Sequence, residues 1–321
     1  MLNKRSDLTP NNDQKVGTER EKQSKDLRAE NPALFRLTDG DLQILHYVYY
    51  FRYITTPMLV MITGRAPQKI NARTRFLYDA GYLERLHLPH PRSGGGSQQS
   101  IHVLDEKGLQ LLSEYLKVPR KEMGTSPKHN ENPEMILRHK LLISYVQAAV
   151  VAAVRHTEWL ELLFWQRESD QYKQTVYAQG EELRVFPDAF FGVMDTRQPA
   201  GRQRYFFFLE ADRSTMDHKD MRNKFAGYYQ LWKQHQHEGS PVFHGIKKFR
   251  VLTVIDKKGK GTKRLENCLR DAHDITPGGH GSGIFWFTEQ DQLPLSPTAL
   301  LEPVWRVAKG HSQTLYRLFN D

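Results

Sequence analysis

The sequence predicts an α/β protein of two domains, in which a small helical domain precedes a larger domain built on a mixed sheet. The chain has 321 residues, which is about two domains at roughly 100 to 200 residues each. Residues 117–134 are polar and punctuated by prolines, as linkers are. Helical periodicity precedes this linker, whereas strand-like runs alternate with helical patterns after it. The predicted parts are therefore a flexible polar arm (1–33), a first domain (34–116), the linker and a second domain (135–321).

The composition restricts the partner and the compartment. Lys and Arg number 46 against 37 Asp and Glu, a net charge of +9 that favours a polyanion such as nucleic acid, with a solvated basic surface as the alternative. One cysteine, Cys268, excludes an internal disulfide and a cysteine-based zinc site, and it indicates a reducing, cytoplasmic compartment. No apolar run approaches the roughly 20 residues of a membrane-spanning helix, and the start of the chain lacks the apolar core of a signal peptide. We therefore expect no membrane association.

The first domain is predicted to contain three helices and a hairpin. Thr38 is a typical N-cap before the periodic run 41–54, and Thr55 with Pro57 starts a second helix. A third helix over 66–83 ends at Gly81, and the following segment is typical of a hairpin whose tip is rich in glycine. Leucines after residue 108 predict a closing helix. This order of elements is typical of a winged helix-turn-helix.

The third helix carries a candidate DNA-reading face. A helical wheel at about 100° per residue places the apolar Ile70 and Leu77 on one side and Arg73 near them, where it would brace the fold. The opposite side consists of Gln68, Asn71, Ala72 and Arg75. Amide and guanidinium groups read base edges, so the expected partner is double-stranded DNA. The cations expected to hold phosphates are Lys69, Arg65 and, near the hairpin, Arg92. The alternative is a solvated helix face in a domain that contacts protein.

Three acidic residues of the second domain are predicted to converge. Alternation along a strand over 183–193 places Asp188 on the same face as Phe186 and Phe190. Glu210 and Asp212, two residues apart in the next strand, share a face. Clustered carboxylates favour a hard cation such as Mg²⁺ or Mn²⁺, which would activate water and stabilise a phosphate during transfer, and Glu168 is a possible fourth ligand. Alternatively, these acids cap loops or pair with Arg184, Arg213 or Lys224.

The next helix supplies a cation, and other signals are weaker. Lys224 and Tyr228 share a helix face, so Lys224 would balance the carboxylates or orient a nucleophilic water. The basic segment 257–264 lacks the phosphate-loop pattern, so we expect no nucleotide cofactor. Its cations contact DNA phosphates or are solvated. His139, early in an apolar helix, is interpreted as a core or interface residue rather than a catalytic base.

The chain resembles the replication-relaxation family of bacterial mobile elements over about residues 36–290. The resemblance rests on LTDGDLQILHYVYYFRYITTPMLV, TRFLYDAGYLER, LRHKLLISYV with His139, the pair Pro187-Asp188, YFFFLEADRSTM and KFAGYYQLW. The second half is similar to a PD-(D/E)xK nuclease-type fold. The family implies a DNA-binding protein that acts in replication, relaxation or mobilisation of a plasmid or integrated element. A replication or mobilisation protein and a second copy of the chain are further candidate partners.

The nuclease-type resemblance also implies site residues. It carries Asp188 to the first metal-ligand position and Glu210 to the second. The third position departs from the pattern, because Asp212 stands where a lysine is expected. Either Lys224 supplies the missing cation from the helix, or the fold retains DNA binding without catalysis. Metal-dependent DNA nicking is therefore an open expectation, with Asp188, Glu210, Asp212 and Lys224 as the catalytic set.

Two rival functions remain open at this stage. One is a winged-helix transcription regulator whose second domain serves dimerisation or effector sensing. Such a regulator should bind half-sites about one helical turn apart without a metal. The other is an active metal-dependent endonuclease in host defence, which should lose cleavage but retain binding when Asp188 or Glu210 is changed to Ala.

Overall fold

The computed structural model describes residues 27–29, 36–88, 100–130, 132–167, 173–178, 180–214, 216–256, 263–310 and 314–319. Most of the predicted N-terminal arm, the glycine-rich hairpin tip and most of the basic segment 257–264 lie outside these residues, as do Arg92 and Glu168. The described chain is mixed α/β, with several helices and one large mixed sheet, and the predicted fold class is confirmed at that level.

The N-terminal elements follow the predicted order of helices and hairpin. They are α1 (Asp39–Phe51), β1 (Ile54–Thr55), α2 (Thr56–Thr63), α3 (Pro67–Asp79), β2 (Leu83–Leu86), β3 (Ile101–Leu104) and α4 (Glu106–Leu116). The three strands form a small antiparallel sheet in the order β1-β3-β2. Gly81 follows α3 with φ of 80°, and the amide of Tyr82 donates to the carbonyl of Leu77 at 2.8 Å. This is the Schellman termination that the sequence predicts, because glycine adopts a positive φ without steric cost.

A buried carboxylate joins α1 to α3. Asp41 accepts hydrogen bonds from the amide and the hydroxyl of Thr38 at 2.8 and 2.7 Å, which closes a capping box at the start of α1. The Arg73 guanidinium donates to both oxygens of the same carboxylate, at 2.7 and 2.5 Å. Arg73 therefore braces the fold, as its position near the core predicts. Burial alone would raise the pKa of Asp41, but the hydrogen bonds from Arg73 and Thr38 outweigh it and hold that pKa below its ordinary value.

Replacement of Arg73 with methionine is expected to destabilise the protein by about 2 kcal/mol. Breaking a fully buried pair costs about 3–5 kcal/mol, and the exposed 29% of the Arg73 side chain reduces this figure. Because the pKa of Asp41 is depressed in the folded state, its contribution is complete above the unfolded pKa, about 3.9, and is lost as pH falls through the folded pKa. Urea unfolding of both proteins at neutral and acidic pH measures this. The variant should lose less stability on acidification.

The control for this prediction is Arg184→Met. The Arg184 side chain is 80% exposed and pairs with an exposed glutamate, so its loss should change stability by less than about 0.5 kcal/mol. Equal destabilisation by the two variants would contradict the role of the Asp41 pair.

The remaining elements form the larger part of the protein. They are α5 (Glu134–Arg155), β4 (Leu160–Arg167), β5 (Gln174–Ala178), β6 (Glu181–Val185), β7 (Ala189–Asp195), β8 (Arg204–Asp212), α6 (His218–Lys233), α7 (Gln236–Gly239), β9 (Arg250–Ile255), α8 (Lys263–Asp274), β10 (Gly281–Glu289), β11 (Trp305–Lys309) and β12 (Leu315–Tyr316). Seven strands form one sheet in the order β12-β11-β10-β9-β8-β7-β4, and β5 and β6 form a separate hairpin. The central strands β8, β9 and β10 are parallel, whereas the outer pairs are antiparallel.

The large sheet is covered on both faces. Phe208 packs with α6, α8 and the β5–β6 hairpin on one face, whereas Leu209 packs with α5 and the C-terminal residues on the other. This alternation requires β8 to be apolar at nearly every position, which is why its sequence reads YFFFL. These two layers leave the carboxyl end of β8 open, and polar side chains lie together there.

Helix α5 belongs to two cores at once. Ala148, Val151 and Ala152 pack among the N-terminal helices, whereas Val146 and Val150 pack against the large sheet. The expectation that no apolar run approaches membrane-spanning length is wrong for α5. Within the described residues, α5 is the one helix that is long and apolar enough to cross a membrane, and 56% of its apolar stretch is buried inside the protein. Its apolar character is accounted for by these two packing faces.

The predicted strand over 183–193 is wrong. The sequence predicts a single strand over 183–193, but the structure ends β6 at Val185 and begins β7, in a different sheet, at Ala189. Pro187 lies in the break, since proline has no amide hydrogen to donate to a sheet. Asp188 therefore does not alternate with Phe186 and Phe190 along one strand. It occupies the corner between two strands.

Candidate functional site

A cleft of about 730 Å³ opens where β8 ends, beside the break before β7. The first turns of α5 and the middle of α6 form its walls. The polar residues that line it are Asn132, His139, Lys140, Asp188, Glu210, Asp212, Arg213 and Lys224, and the apolar ones include Met135, Ile136, Phe186 and Met216. The structure thus brings together all four predicted catalytic residues, which are Asp188, Glu210, Asp212 and Lys224.

Asp188 is held from both sides by hydrogen bonds. Its own amide donates to the carbonyl of Leu209 at 3.0 Å, and its carboxylate accepts the amide of Ala211 at 2.7 Å. The other carboxylate oxygen lies 3.3 Å from Nε2 of His139, on α5. Burial would raise the pKa of Asp188, but the Lys224 cation and the hydrogen bond from His139 outweigh it and lower that pKa. Asp188 is therefore a fixed anion at the end of the cleft.

Glu210 is tied to α6 through both of its oxygens. The Lys224 ammonium contacts one oxygen, and the Tyr228 hydroxyl donates to the other at 2.5 Å. Lys224 and Tyr228 are four residues apart on α6, which places both on the face turned to the sheet. Burial, together with the Asp188 carboxylate, raises the pKa of Glu210 to about 7 in spite of Lys224. Burial and Glu210 raise the pKa of Tyr228 well above its ordinary value, so its phenol is a neutral donor.

Asp212 shares the cleft but has a separate partner. Its carboxylate accepts two hydrogen bonds from the Arg264 guanidinium, at 2.6 and 3.1 Å, and one from the amide of Ser214 at 2.9 Å. Arg264 is the first-turn arginine of α8, which the sequence interpretation assigned to DNA phosphates or to solvent. A metal ion could use Asp212 as a ligand only if this bidentate pair opened.

The candidate ligands for a magnesium-like ion are Asp188 and Glu210, although both oxygens of Glu210 already accept hydrogen bonds from Lys224 and Tyr228. Across the part of the chain that the structure describes, no group of three or more His, Cys, Asp and Glu side chains is arranged to hold a metal ion. Mg²⁺, however, keeps several waters and commonly takes one or two carboxylates together with substrate phosphates. Asp188 and Glu210 offer oxygen donors of that kind at the wall of an open cleft.

Sequence reasoning placed His139 in the core or at an interface, and the structure places it on the cleft wall against Asp188. The available signal was its position one turn into an otherwise apolar helix, next to Lys140. That pattern alone does not identify the partner, because Asp188 is 49 positions further along the chain in a segment that the sequence interpretation treated as regular strand.

The predicted DNA-reading residues of α3 fall into two groups. Gln68, Lys69 and Asn71 are exposed along one side of α3, as is Ala72 between them. Arg75 instead pairs with Asp79 at 2.7 Å and donates to the carbonyl of Leu27 at 2.9 Å. Arg65 donates to Gln43 and to the carbonyl of Gly40, on α1. Base or phosphate contacts by Arg75 and Arg65 would have to replace these bonds.

Comparison with known families identifies the family of the chain. The family model described as Replication-relaxation matches residues 45–244, which is more than half of the sequence. The chain belongs to the replication-relaxation family. The resemblance stated from the sequence is thereby confirmed, and the family links the chain to replication and relaxation of mobile elements. Comparisons with curated proteins and with solved structures gave no match.

The region matched by the replication-relaxation model includes α3 and every residue that lines the cleft. Asp188, Glu210 and Lys224 lie within residues 45–244, whereas Arg264, the partner of Asp212, lies beyond them. The match therefore covers Asp188, Glu210, Asp212 and Lys224 but not Arg264.

Proposed function

We propose that this replication-relaxation protein binds double-stranded DNA of a plasmid or other mobile element and carries a metal-dependent phosphodiester-cleaving site. The observation that carries the proposal is the convergence of Asp188, Glu210 and Lys224 in one open cleft of a protein with net charge +9. Buried carboxylates and a cation in a cleft are the arrangement that phosphoryl-transfer sites require.

The N-terminal elements support duplex binding. Their order of three helices, strand pair and closing helix, with a third strand from β1, supports the assignment of a winged helix-turn-helix. In that class the helix equivalent to α3 enters the major groove with its exposed side. Gln68 and Asn71 supply the amide groups that read adenine edges, and Lys69 supplies a phosphate contact.

The second half supports a nuclease-like assignment. Asp188 lies at the break before a strand, Glu210 lies in the next strand, and the two flank one cleft as in the PD-(D/E)xK pattern. The third member of the pattern comes from α6, because the Lys224 ammonium contacts Glu210 while Asp212 is paired with Arg264. We therefore assign Lys224 the role of the missing strand lysine.

The chemistry assigned to the cleft is hydrolysis. The oxygen of a water molecule forms a bond to phosphorus and loses a proton, the bond from phosphorus to the leaving deoxyribose oxygen breaks, and that oxygen acquires a proton. Bound to Asp188 and Glu210, Mg²⁺ or Mn²⁺ would neutralise phosphate charge and acidify the attacking water. Lys224 holds Glu210 in place and adds positive charge beside the phosphate, and the His139 hydrogen bond orients Asp188.

The test is conversion of supercoiled plasmid by the full chain in Mg²⁺, in Mn²⁺ and in EDTA. We expect open-circular product only with a metal, and we expect Glu210→Gln to abolish it while gel shifts of the same DNA remain. The matched control is Asp195→Asn, because Asp195 is a fully buried carboxylate paired with Arg197 at the opposite end of β7.

Three other outcomes would contradict or restrict different parts of the proposal. Conversion that persists in Glu210→Gln would contradict the assigned site. An absence of conversion, with the gel shift retained, would restrict the function to DNA binding by a nuclease-like fold. Loss of the gel shift in the unmodified protein would contradict the DNA-binding proposal itself.

A further inference from the structure

The cleft has an exposed apolar edge that the proposed chemistry does not use. Met135 and Ile136, in the first turn of α5, are 61% and 39% exposed. Phe186 and Met216 line the same cleft and are partly exposed. Contact of these apolar side chains with water is unfavourable, and covering them is favourable, so their position beside the carboxylates favours a ligand with an apolar surface.

We propose that the cleft receives an unpaired nucleotide of a locally opened DNA strand, with Met135 and Ile136 acting as a wedge against the neighbouring base. This inference rests on the proposed function and specifies the DNA structure on which the site acts. Methionine and isoleucine are among the side chains that DNA-distorting proteins insert between base steps.

The depth of the acidic residues supports this DNA structure. Glu210 and Asp188 are only 2% and 8% exposed, so a phosphate must enter the cleft to meet them. Phosphates of an intact duplex lie on the outside of a stiff helix, whereas an unpaired nucleotide can be extruded into a site at a cost of a few kcal/mol. A cleft of about 730 Å³ is in the range that encloses a ligand of this size.

The charges around the cleft match a polyanion. Two of its acidic residues, Glu210 and Asp212, are already neutralised by Lys224 and Arg264. Lys140 lies on the cleft wall without an ion-pair partner among the described residues. Lys140 is therefore available for the phosphate next to the extruded nucleotide.

The wedge is held in a fixed position. The Arg213 guanidinium, directly after β8, donates to the carbonyl of Met135 at 2.8 Å and so ties the start of α5 to the strand that carries Glu210. The Lys173 ammonium lies 4.8 Å from the centre of the Phe186 ring, which restrains that ring at the same edge. These contacts fix the backbone at Met135 and the Phe186 ring, so less of the cleft edge has to be ordered when a base binds.

The experiment compares two fluorescent DNA probes of the same sequence in EDTA, so that no cleavage occurs. One probe is a fully paired duplex, and the other contains a central unpaired segment with 2-aminopurine. We expect the unpaired probe to bind about tenfold tighter, because contact with the base removes the exposed apolar surface of Met135 and Ile136 from water. We also expect 2-aminopurine fluorescence to change on binding.

The decisive variant is the double substitution Met135→Ser and Ile136→Ser. Both side chains are exposed, so the fold should be retained, and circular dichroism checks this. The preference for the unpaired probe should fall to less than about twofold, while affinity for the paired duplex stays unchanged. The matched control is Leu315→Ser, a 51% exposed leucine on the edge strand β12 at the far end of the sheet.

The outcomes separate this inference from the proposed function. Equal affinity for the two probes, or a preference that the double variant retains, would overturn the wedge while leaving duplex binding and metal-dependent conversion intact. Failure to bind either probe would instead contradict the DNA-binding proposal.

Discussion

Replacement of Lys224 with methionine is expected to lower the rate of metal-dependent plasmid conversion by about 10²–10³-fold, the usual effect of removing one preorganised charge from a transition-state site. Lys224 is the cation in contact with Glu210, and it also lowers the pKa of Asp188. Methionine preserves the apolar stem of lysine but removes the charge. The measurement is the initial rate of open-circle formation at saturating DNA.

The conservative variant Lys224→Arg separates a chemical role from a structural one. Arginine retains the positive charge, so it should recover part of the lost rate, whereas a residue needed only for packing would show no such recovery. Affinity of both variants for a fully paired duplex in EDTA should remain within about twofold of the unmodified protein, because duplex binding is assigned to α3. A Lys224→Met protein with the unmodified rate would remove Lys224 from the site and contradict the migrated-lysine assignment.

The second large effect is expected on α3. Asn71→Ala should lower affinity for the specific DNA site by about 1–3 kcal/mol, or about 5–150-fold, and leave affinity for random duplex nearly unchanged. Asn71 is exposed on the polar side of α3, as is Lys69. Lys69→Ala should instead weaken binding to every sequence and reduce the salt slope by about 1. Fluorescence anisotropy over a series of salt concentrations distinguishes the two.

Arg75 differs from Asn71 and Lys69 because it also holds the fold. Because its guanidinium pairs with Asp79 and reaches the Leu27 carbonyl, Arg75→Ala should destabilise the N-terminal helices as well as alter DNA binding. Equal effects of Asn71→Ala and Lys69→Ala on specific and random DNA would contradict the assignment of α3 as the reading helix.

Much of the architecture followed from local signals in the sequence. The α3 termination at Gly81 needs only one residue that tolerates positive φ, and the alternation that places Glu210 and Asp212 on one face needs only an extended strand. The apolar helix that was predicted around His139 is found at Glu134–Arg155. In each case the deciding interactions are made within a few residues of one another.

Other features depended on contacts between distant segments. Arg264 engages Asp212 across 52 residues, and this pair forms only because the β8–α6–β9–α8 path returns the start of α8 to the end of β8. His139 meets Asp188 only because α5 crosses the sheet beside the β7 break. Sequence periodicity does not predict contacts between residues that are so far apart along the chain.

The sequence by itself therefore determined the α/β class, the family resemblance and the identity of the acidic cluster with its lysine. Only the tertiary structure decided how those charges are distributed. It paired Asp212 with Arg264, set Lys224 and Tyr228 on Glu210, and placed His139 on Asp188. The physical reason is that buried carboxylates must find partners, and which partner is within reach is set by strand order and helix crossing rather than by spacing along the chain.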